Sequence, residues 1–449
     1  MSTDKDSILI QPFTKPCRSK VEVPGSKSIS NRALILSVMC GGKTQLKGLL
    51  ESEDVDLMRQ ALSDLGIQIE KNETTCSIIG ECGEISNKEC SINVGNAGTI
   101  ARFLTCLLAS QKGGKYSLDG SPAMRKRPMA ELLTCLTDLG CKIKYEGDEG
   151  CFPFSLYSNG INKSKIEIDA SKSGQNISGI LMQCPLLGTD VEIGFKQGTV
   201  SLPFIKMTLE MMRSFSENEY LDYELNEKSI LIKKSKYRQE NYDYNIEPDA
   251  TAASYFLTLP QVVGGVVRIH QMKDVMLQGD IDFFKILNDL GANVYFDETG
   301  IVSEQGLPLS GGSFDFNDIS DTFLTLAAIS PILSSPLELY GIEHTRKQET
   351  DRVSAMAKEL IKLGQVVIEK PDRLVIHPDL NKLKKVAFDM VSINTYNDHR
   401  FAMSFAILGC YDLFGDGRPW LKILNPGCCA KTFPGFFDCL DTTHQDSNG

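Results

Sequence analysis

Residues 25–36, GSKSISNRALIL, set a run of small polar residues directly before an apolar stretch, the pattern of a loop opening into a buried helix. The pattern returns at GNAGTIARFL (95–104), SKSGQNISGILM (171–182), PDATAASYFL (248–257), SDTFLTLAAI (320–329) and NDHRFAMSFAIL (397–408). Between the anchors Ser26, Asn96, Ser173, Asp249, Asp321 and Asp398 the spacings are 70, 77, 76, 72 and 77 residues. A second mark keeps the same phase. An amphipathic helix running into Leu-Gly and a β-rich stretch recurs as DLGIQIE, DLGCKIKY, DLGANVYF and KLGQVVIE, around Gly66, Gly140, Gly291 and Gly364, and is lost in the third unit. Glycine suits a helix C-terminal cap, where φ must be positive. One or two matches would be chance in an α/β protein. Six at nearly constant spacing define a repeat, each unit reading as strand, helix, strand, helix, then strands.

With 449 residues the chain exceeds one ordinary core. The polar stretch KKSKYRQENYDYN (233–245) marks a crossing between two groups of three units, with the first residues able to return to the second group. The predicted domains are 1–20 with 246–449, and 21–245, with hinges near residues 20 and 246. No apolar run approaches the length of a membrane span, and MSTDKDSILIQPF lacks a signal-peptide core, so a soluble, cytoplasmic protein is expected. The net charge of −11 argues against nucleic acid or a membrane surface as the main partner, so an anionic ligand must be drawn by a local basic cluster. The 14 cysteines sit mostly in apolar stretches, with no CxxC pair and no histidine at metal spacing, and read as reduced core residues. The neighbours Cys428 and Cys429 read either as packing or as a redox-sensitive pair.

A helix N-terminus carries unpaired N–H groups and the positive end of the helix dipole, so it binds phosphate or carboxylate. The repeated turns place Lys27, Ser28 and Arg32 at the first such start, Asn96, Gly98 and Thr99 at the second, and Ser173 and Gln175 at the third. Asp321 falls at the fifth, His399 and Arg400 at the sixth. Taken singly, Ser, Thr, Asn and Asp at these places are ordinary caps, and Gly98 is either a turn glycine or a point of close backbone approach. Lys27, Gln175 and Arg400 go beyond capping. Arg127, Arg352 and Lys431 lie just outside the turns, where a lone charge is usually a solvated face.

In order along the chain, VPGSKSISNRALIL, GNAGT, KRP, SKSGQ, SDT, QETDR, YNDHR and AKTFPGFF resemble the 5-enolpyruvylshikimate-3-phosphate synthase family over nearly the whole length. The resemblance implies an α/β fold of two domains, each of three βαβαββ repeat units, an inside-out α/β barrel-like arrangement with the site in the interdomain cleft. It implies transfer of the carboxyvinyl group of phosphoenolpyruvate to the 5-hydroxyl of shikimate 3-phosphate, with release of phosphate, in chorismate and aromatic amino-acid biosynthesis. Lys27 would touch both substrates. Ser28, Arg32, Ser173, Gly174, Gln175, Ser201, Asp321, His344 and Gln348 would hold shikimate 3-phosphate; Gly98, Arg127, Gln175, Arg352, Arg400 and Lys431 would hold phosphoenolpyruvate. Asp321 is implied as the base and Glu349 as the acid of an addition and elimination through a tetrahedral ketal, with Lys27 and His399 assisting. No metal or organic cofactor is implied, and a monomer is expected.

Four positions leave the commonest family pattern: Gly174 in place of serine, Gln348 in place of lysine, His344 in place of asparagine, and Phe103 in place of proline. Lys347 would compensate for Gln348, and Phe103 would change how the helix after GNAGT packs. Two alternatives compete. A UDP-N-acetylglucosamine enolpyruvyl transferase would carry a loop cysteine as acid and an SGAKNAALP-like opening, which this chain lacks. A catalytically silent anion-binding relative would gain nothing from carboxylates at Asp321 and Glu349.

Overall fold

In a computed structural model of the chain, the described residues are 6–72, 75–170, 174–199 and 202–448. The chain divides into two compact units, Gly25–Glu247 and Met1–Pro24 with Pro248–Gly449. The divisions between them fall at Pro24/Gly25 and Glu247/Pro248. Strand Cys17–Val21 stays with the later residues through its parallel pairing with Gly265–His270. Gly25 is required at this crossing: a Cβ there would lie 2.0 Å from the Gly48 carbonyl oxygen.

The second repeat shows the plan. Strand Glu89–Asn93 leads into helix Gly98–Ala109, strand Lys115–Asp119, helix Ala130–Asp138, and the hairpin Lys142–Tyr145 with Phe154–Tyr157. The first two strands are parallel, Ile92 opposite Leu118, because a helix makes the crossover; the last two are antiparallel, Ile143 opposite Leu156. Among the described residues the six sheets are separate, and none closes into a barrel.

The first repeat of each unit takes its opening strand from a distant part of the chain. In Gly25–Glu247 it is Tyr242–Asn245, parallel to Gly41–Lys47; in the other unit it is Cys17–Val21. The sixth repeat departs from the plan: strands Val391–Ile393 and Leu421–Leu424 are completed by Ser7–Leu9.

The helices opened by the repeated turns are buried on nearly every face, their few polar side chains included, so they sit at the centre of each unit rather than on its surface. Lys27–Met39, Gly98–Ala109 and Gly174–Leu181 lie in one unit; Ala250–Val263, Phe323–Ile329 and His399–Gly409 lie in the other and pack against one another. From Ile29 onward the first of these helices is buried, and every residue of the last is. Sheets with exposed outer positions surround them. The outer helices end as the Leu-Gly mark requires: Gly66, Gly140, Gly291 and Gly364 have φ of 92°, 110°, 112° and 83°. No helix among the described residues is long and apolar enough to cross a membrane.

Candidate active site

The polar residues of the turns form one cluster in each unit. In Gly25–Glu247, Ser26 caps helix Lys27–Met39 and puts Lys27 at its first position, where the Lys27 ammonium lies 3.4 Å from Asp54 Oδ2. Asp54 is itself in the first turn of helix Glu53–Asp64. Gly98 opens the next central helix. A Cβ on it would come within 3.1 Å of Arg102 Nη1, 3.2 Å of Arg127 Nη1 and 3.4 Å of Gln175 Oε1, so glycine here leaves three polar side chains converging on bare backbone. Gln175 Nε2 donates to Thr99 Oγ1 at 3.4 Å, and Arg127 Nη1 to the Asn96 carbonyl at 3.4 Å.

Arg32 stands behind this surface. It is buried, donating through Nε to Thr208 Oγ1 (2.8 Å), Nη1 to the Ser28 carbonyl (2.9 Å) and Nη2 to Ser178 Oγ (3.1 Å). Its guanidinium carbon lies 5.1 Å from the Phe103 ring centroid, which is how phenylalanine at that position enters the packing. Burial pushes the Arg32 guanidinium down to about 9. Ser28 follows Lys27 in the helix, and Gly174 begins helix Gly174–Leu181. Ser173 and Ser201 lie outside the described residues.

The other unit gathers carboxylates and cations. Arg352, first residue of helix Arg352–Lys362, is 2% exposed and reaches three carboxylates: Nε to Asp398 Oδ2 (2.7 Å), Nη1 to Asp321 Oδ1 (2.7 Å) and Nη2 to Glu349 Oε2 (3.0 Å). Burial by itself lowers an arginine pKa, but Asp398, Glu349 and Asp321 together hold this one above its ordinary value. Asp321 also accepts from Arg400 Nη2 at 2.6 Å, and Glu349 from Lys431 Nζ at 2.6 Å. Gln348 accepts from Arg352 Nη1. It therefore binds the arginine, and Lys347 is exposed. His344 Nε2 meets Ser320 Oγ at 2.9 Å, and burial lowers its pKa. The His399 ring is buried, with Nδ1 3.5 Å from Asp398 Oδ1. Cys428 and Cys429 lie in the short 3₁₀ helix Pro426–Lys431, both as free thiols.

Four residues of these clusters had not been singled out from sequence as ligands or site groups. Asp54 lies outside the repeated turns, and Asp398 enters only as the anchor of the sixth. Arg102 is a lone arginine in the apolar run GTIARFLTCLLA; it is buried, donates to the Gly98 and Pro128 carbonyls, and is pushed down to about 10 by burial and then by the Arg127 charge. An arginine inside such a run was the available signal. Asp280, in LQGDID, gave none. It is buried beside the Asp321 and Arg400 pair, and burial, then the Asp321 charge, push it up to about 7.

The turn that launches Asp398, His399 and Arg400 is strained: Tyr396 and Asn397 have φ of 54° and 57°. The buried Glu359 carboxylate holds it, accepting from Tyr396 Oη at 2.7 Å and the Asn394 N–H at 3.2 Å. Replacing Tyr396 by Phe removes a bond to a charged partner, a loss of about 1.5–3 kcal/mol. The expected result is a lower melting temperature together with a weaker hold on anions bound at Arg400. Thermal unfolding and anion titration check it, and an unchanged melting temperature would remove this anchoring role.

Two units of three repeats on the βαβαββ plan, the sixth short of one strand, with cations gathered at the helix starts, make this an enolpyruvyl transferase fold. EPSP synthase from Acinetobacter baumannii superposes with a TM-score of 0.78 at 23% identity, covering 98% of both chains. The enolpyruvyl transferase NikO from Streptomyces tendae gives 0.72 at 13% identity, over 98% of this chain and 97% of the other. The family model described as EPSP synthase (3-phosphoshikimate 1-carboxyvinyltransferase) matches residues 13–440, and the chain belongs to that family. The 3-phosphoshikimate 1-carboxyvinyltransferase of Opitutus terrae is 44% identical over 98% of each chain, and that of Nostoc punctiforme 38% identical over 96% of this chain and 98% of its own.

Proposed function

We propose that the chain transfers the carboxyvinyl group of phosphoenolpyruvate to the 5-hydroxyl of shikimate 3-phosphate, releasing inorganic phosphate. The observation that carries this reading is the pair of carboxylates, Asp321 and Glu349, bridged by one arginine and flanked by Arg400 and Lys431. Mere anion binding gains nothing from two carboxylates placed among its cations. An addition followed by an elimination needs both, one to take a proton from the attacking hydroxyl and one to give a proton to the methylene carbon.

Asp321 is the base. Glu349 is the acid, and a carboxyl placed to donate must hold a proton part of the time, which burial or neighbouring carboxylates favour. The hydroxyl oxygen then bonds to the second carbon of phosphoenolpyruvate as the third carbon is protonated, giving the tetrahedral ketal. Return of a proton from that methyl group and departure of phosphate restore the double bond. The guanidinium forks of Arg127, Arg352 and Arg400 suit carboxylate and phosphate, while Lys27 and Lys431 act as point charges. Lys27, Ser28, Ser173, Gly174, Gln175, Ser201, Asp321, His344 and Gln348 hold shikimate 3-phosphate. Arg32 supports that pocket through Ser28, Ser178 and Thr208, and His399 assists beside the phosphate.

This reading places the enzyme in the cytoplasm, acting as a monomer. The test is phosphate release from phosphoenolpyruvate with each acceptor. Release that depends on shikimate 3-phosphate is the expected result; dependence on UDP-N-acetylglucosamine would overturn the choice of substrate, and no release with either would overturn the activity.

A further inference from the structure

Behind Asp321 and Arg400 lies a third carboxyl with no part in the scheme above. Asp280 sits in the 3₁₀ turn Gly279–Asp282 and is 5% exposed. Its neighbour Gln278 organises the surroundings. The Gln278 amide nitrogen donates to Asp280 Oδ2 (3.1 Å), Asp249 Oδ1 (3.3 Å) and Thr251 Oγ1 (2.8 Å), while its amide oxygen accepts from the Ala250 N–H (3.1 Å). The other Asp280 oxygen, Oδ1, is buried and has no hydrogen-bond partner among the described residues. Nor has Arg400 Nε, although Asp280 lies within electrostatic range of that guanidinium.

Three charged groups face Asp280: Asp249 from the cap of helix Ala250–Val263, Asp321 from the turn before Phe323–Ile329, and Arg400 from helix His399–Gly409. Tyr255, from the same helix as Asp249, faces Arg400. Two of the three charges are negative, and the single cation already donates to Asp321. A buried carboxylate with one donor, two like charges and a shared cation is unfavourable when ionised, and a proton on it removes most of that cost.

We infer that Asp280 is a positioning residue that works as a neutral, proton-bearing carboxyl, leaving Arg400 balanced by Asp321 so that an anionic substrate can claim it. When Asp280 ionises, Arg400 acquires a second strong partner and the incoming anion meets another negative charge. Binding of phosphoenolpyruvate then weakens. Conversely, bound phosphoenolpyruvate holds the proton on Asp280, so binding at slightly alkaline pH takes a proton up. This rests on the proposed reading of Arg400 as a phosphoenolpyruvate ligand.

The experiment measures KM for phosphoenolpyruvate, at saturating shikimate 3-phosphate, from about pH 6.5 to about 8.5, above the second phosphate ionisation at ~6. In the wild-type chain KM is expected to rise with pH by roughly three- to tenfold, since one unit of linked ionisation is worth a factor of ten. In Asp280→Asn, which cannot ionise, the rise is expected to vanish relative to wild type. Parallel profiles for the two proteins would overturn the inference. If Asp280→Asn does not fold, calorimetric titration of the wild-type chain with phosphoenolpyruvate in slightly alkaline buffers of different ionisation enthalpy decides. Proton uptake supports the inference, and its absence overturns it. Failure of the underlying reading looks different: no phosphate is released by the wild-type chain at any pH.

Discussion

Asp321→Ala is expected to lower turnover by about 10²–10⁴-fold, the range for loss of a positioned proton acceptor, while shikimate 3-phosphate still binds. The geometry makes the effect specific. Asp321 has one oxygen on Arg352 and the other on Arg400, at 2.7 and 2.6 Å, so both guanidiniums orient a single carboxylate. Its removal leaves Arg352 with Asp398 and Glu349, and leaves Arg400 more open to an anion. Phosphoenolpyruvate should therefore bind at least as well as before, with the loss confined to kcat. Single-turnover kinetics with both substrates, beside a binding titration with shikimate 3-phosphate alone, separate the two effects. Unchanged turnover would end the assignment of Asp321 as base; loss of shikimate 3-phosphate binding would make its role one of holding substrate.

The largest effect on stability is expected at Arg352. Asp398 is fully buried, and Asp321 and Glu349 have side chains only 21% and 13% exposed, so Arg352→Ala would leave three carboxylates crowded together without their common cation. Removing one partner of a buried ion pair costs about 3–5 kcal/mol, because the remaining charge stays buried and uncompensated. That is a large fraction of the stability of an ordinary domain, and the melting temperature should fall accordingly. Arg352→Lys distinguishes stability from chemistry. A lysine keeps the charge but cannot present a planar fork to Asp321, Glu349 and Asp398 together. The expected variant is folded, with kcat/KM for phosphoenolpyruvate reduced about 100-fold, equivalent to ~2.7 kcal/mol of transition-state stabilisation. Near wild-type kcat/KM in Arg352→Lys would show that only the charge at this position matters.

Much of the architecture was legible in the residues themselves because each element has a local cause. Gly66, Gly140, Gly291 and Gly364 mark helix ends wherever they fall, since a positive φ is a property of the residue and its neighbours. Apolar stretches opened by small polar turns imply buried helices for the same reason. The departures arise where partners are distant in sequence. Nothing in CRSKV (17–21) says that it pairs with Gly265–His270, or in YDYN (242–245) that it pairs with Gly41–Lys47, yet those pairings decide where each unit begins.

The candidate site divides along the same line. Lys27, Gln175 and Arg400 could be picked out because they exceed what capping a helix start needs, whereas Gly98 and Arg352 each had an ordinary structural reading until the ordered motifs were taken together. The period determined that six helix starts exist, and the ordered motifs determined the family. Only the tertiary structure decided that Arg32 turns inward against Ser178, Thr208 and Phe103, that Gln348 serves Arg352, and that Asp280 joins Asp321 and Arg400. The physical reason is range. Helix periodicity and capping act over a few residues, whereas charge pairing and burial act through space, between groups whose separation along the chain carries no trace of the few ångströms between them.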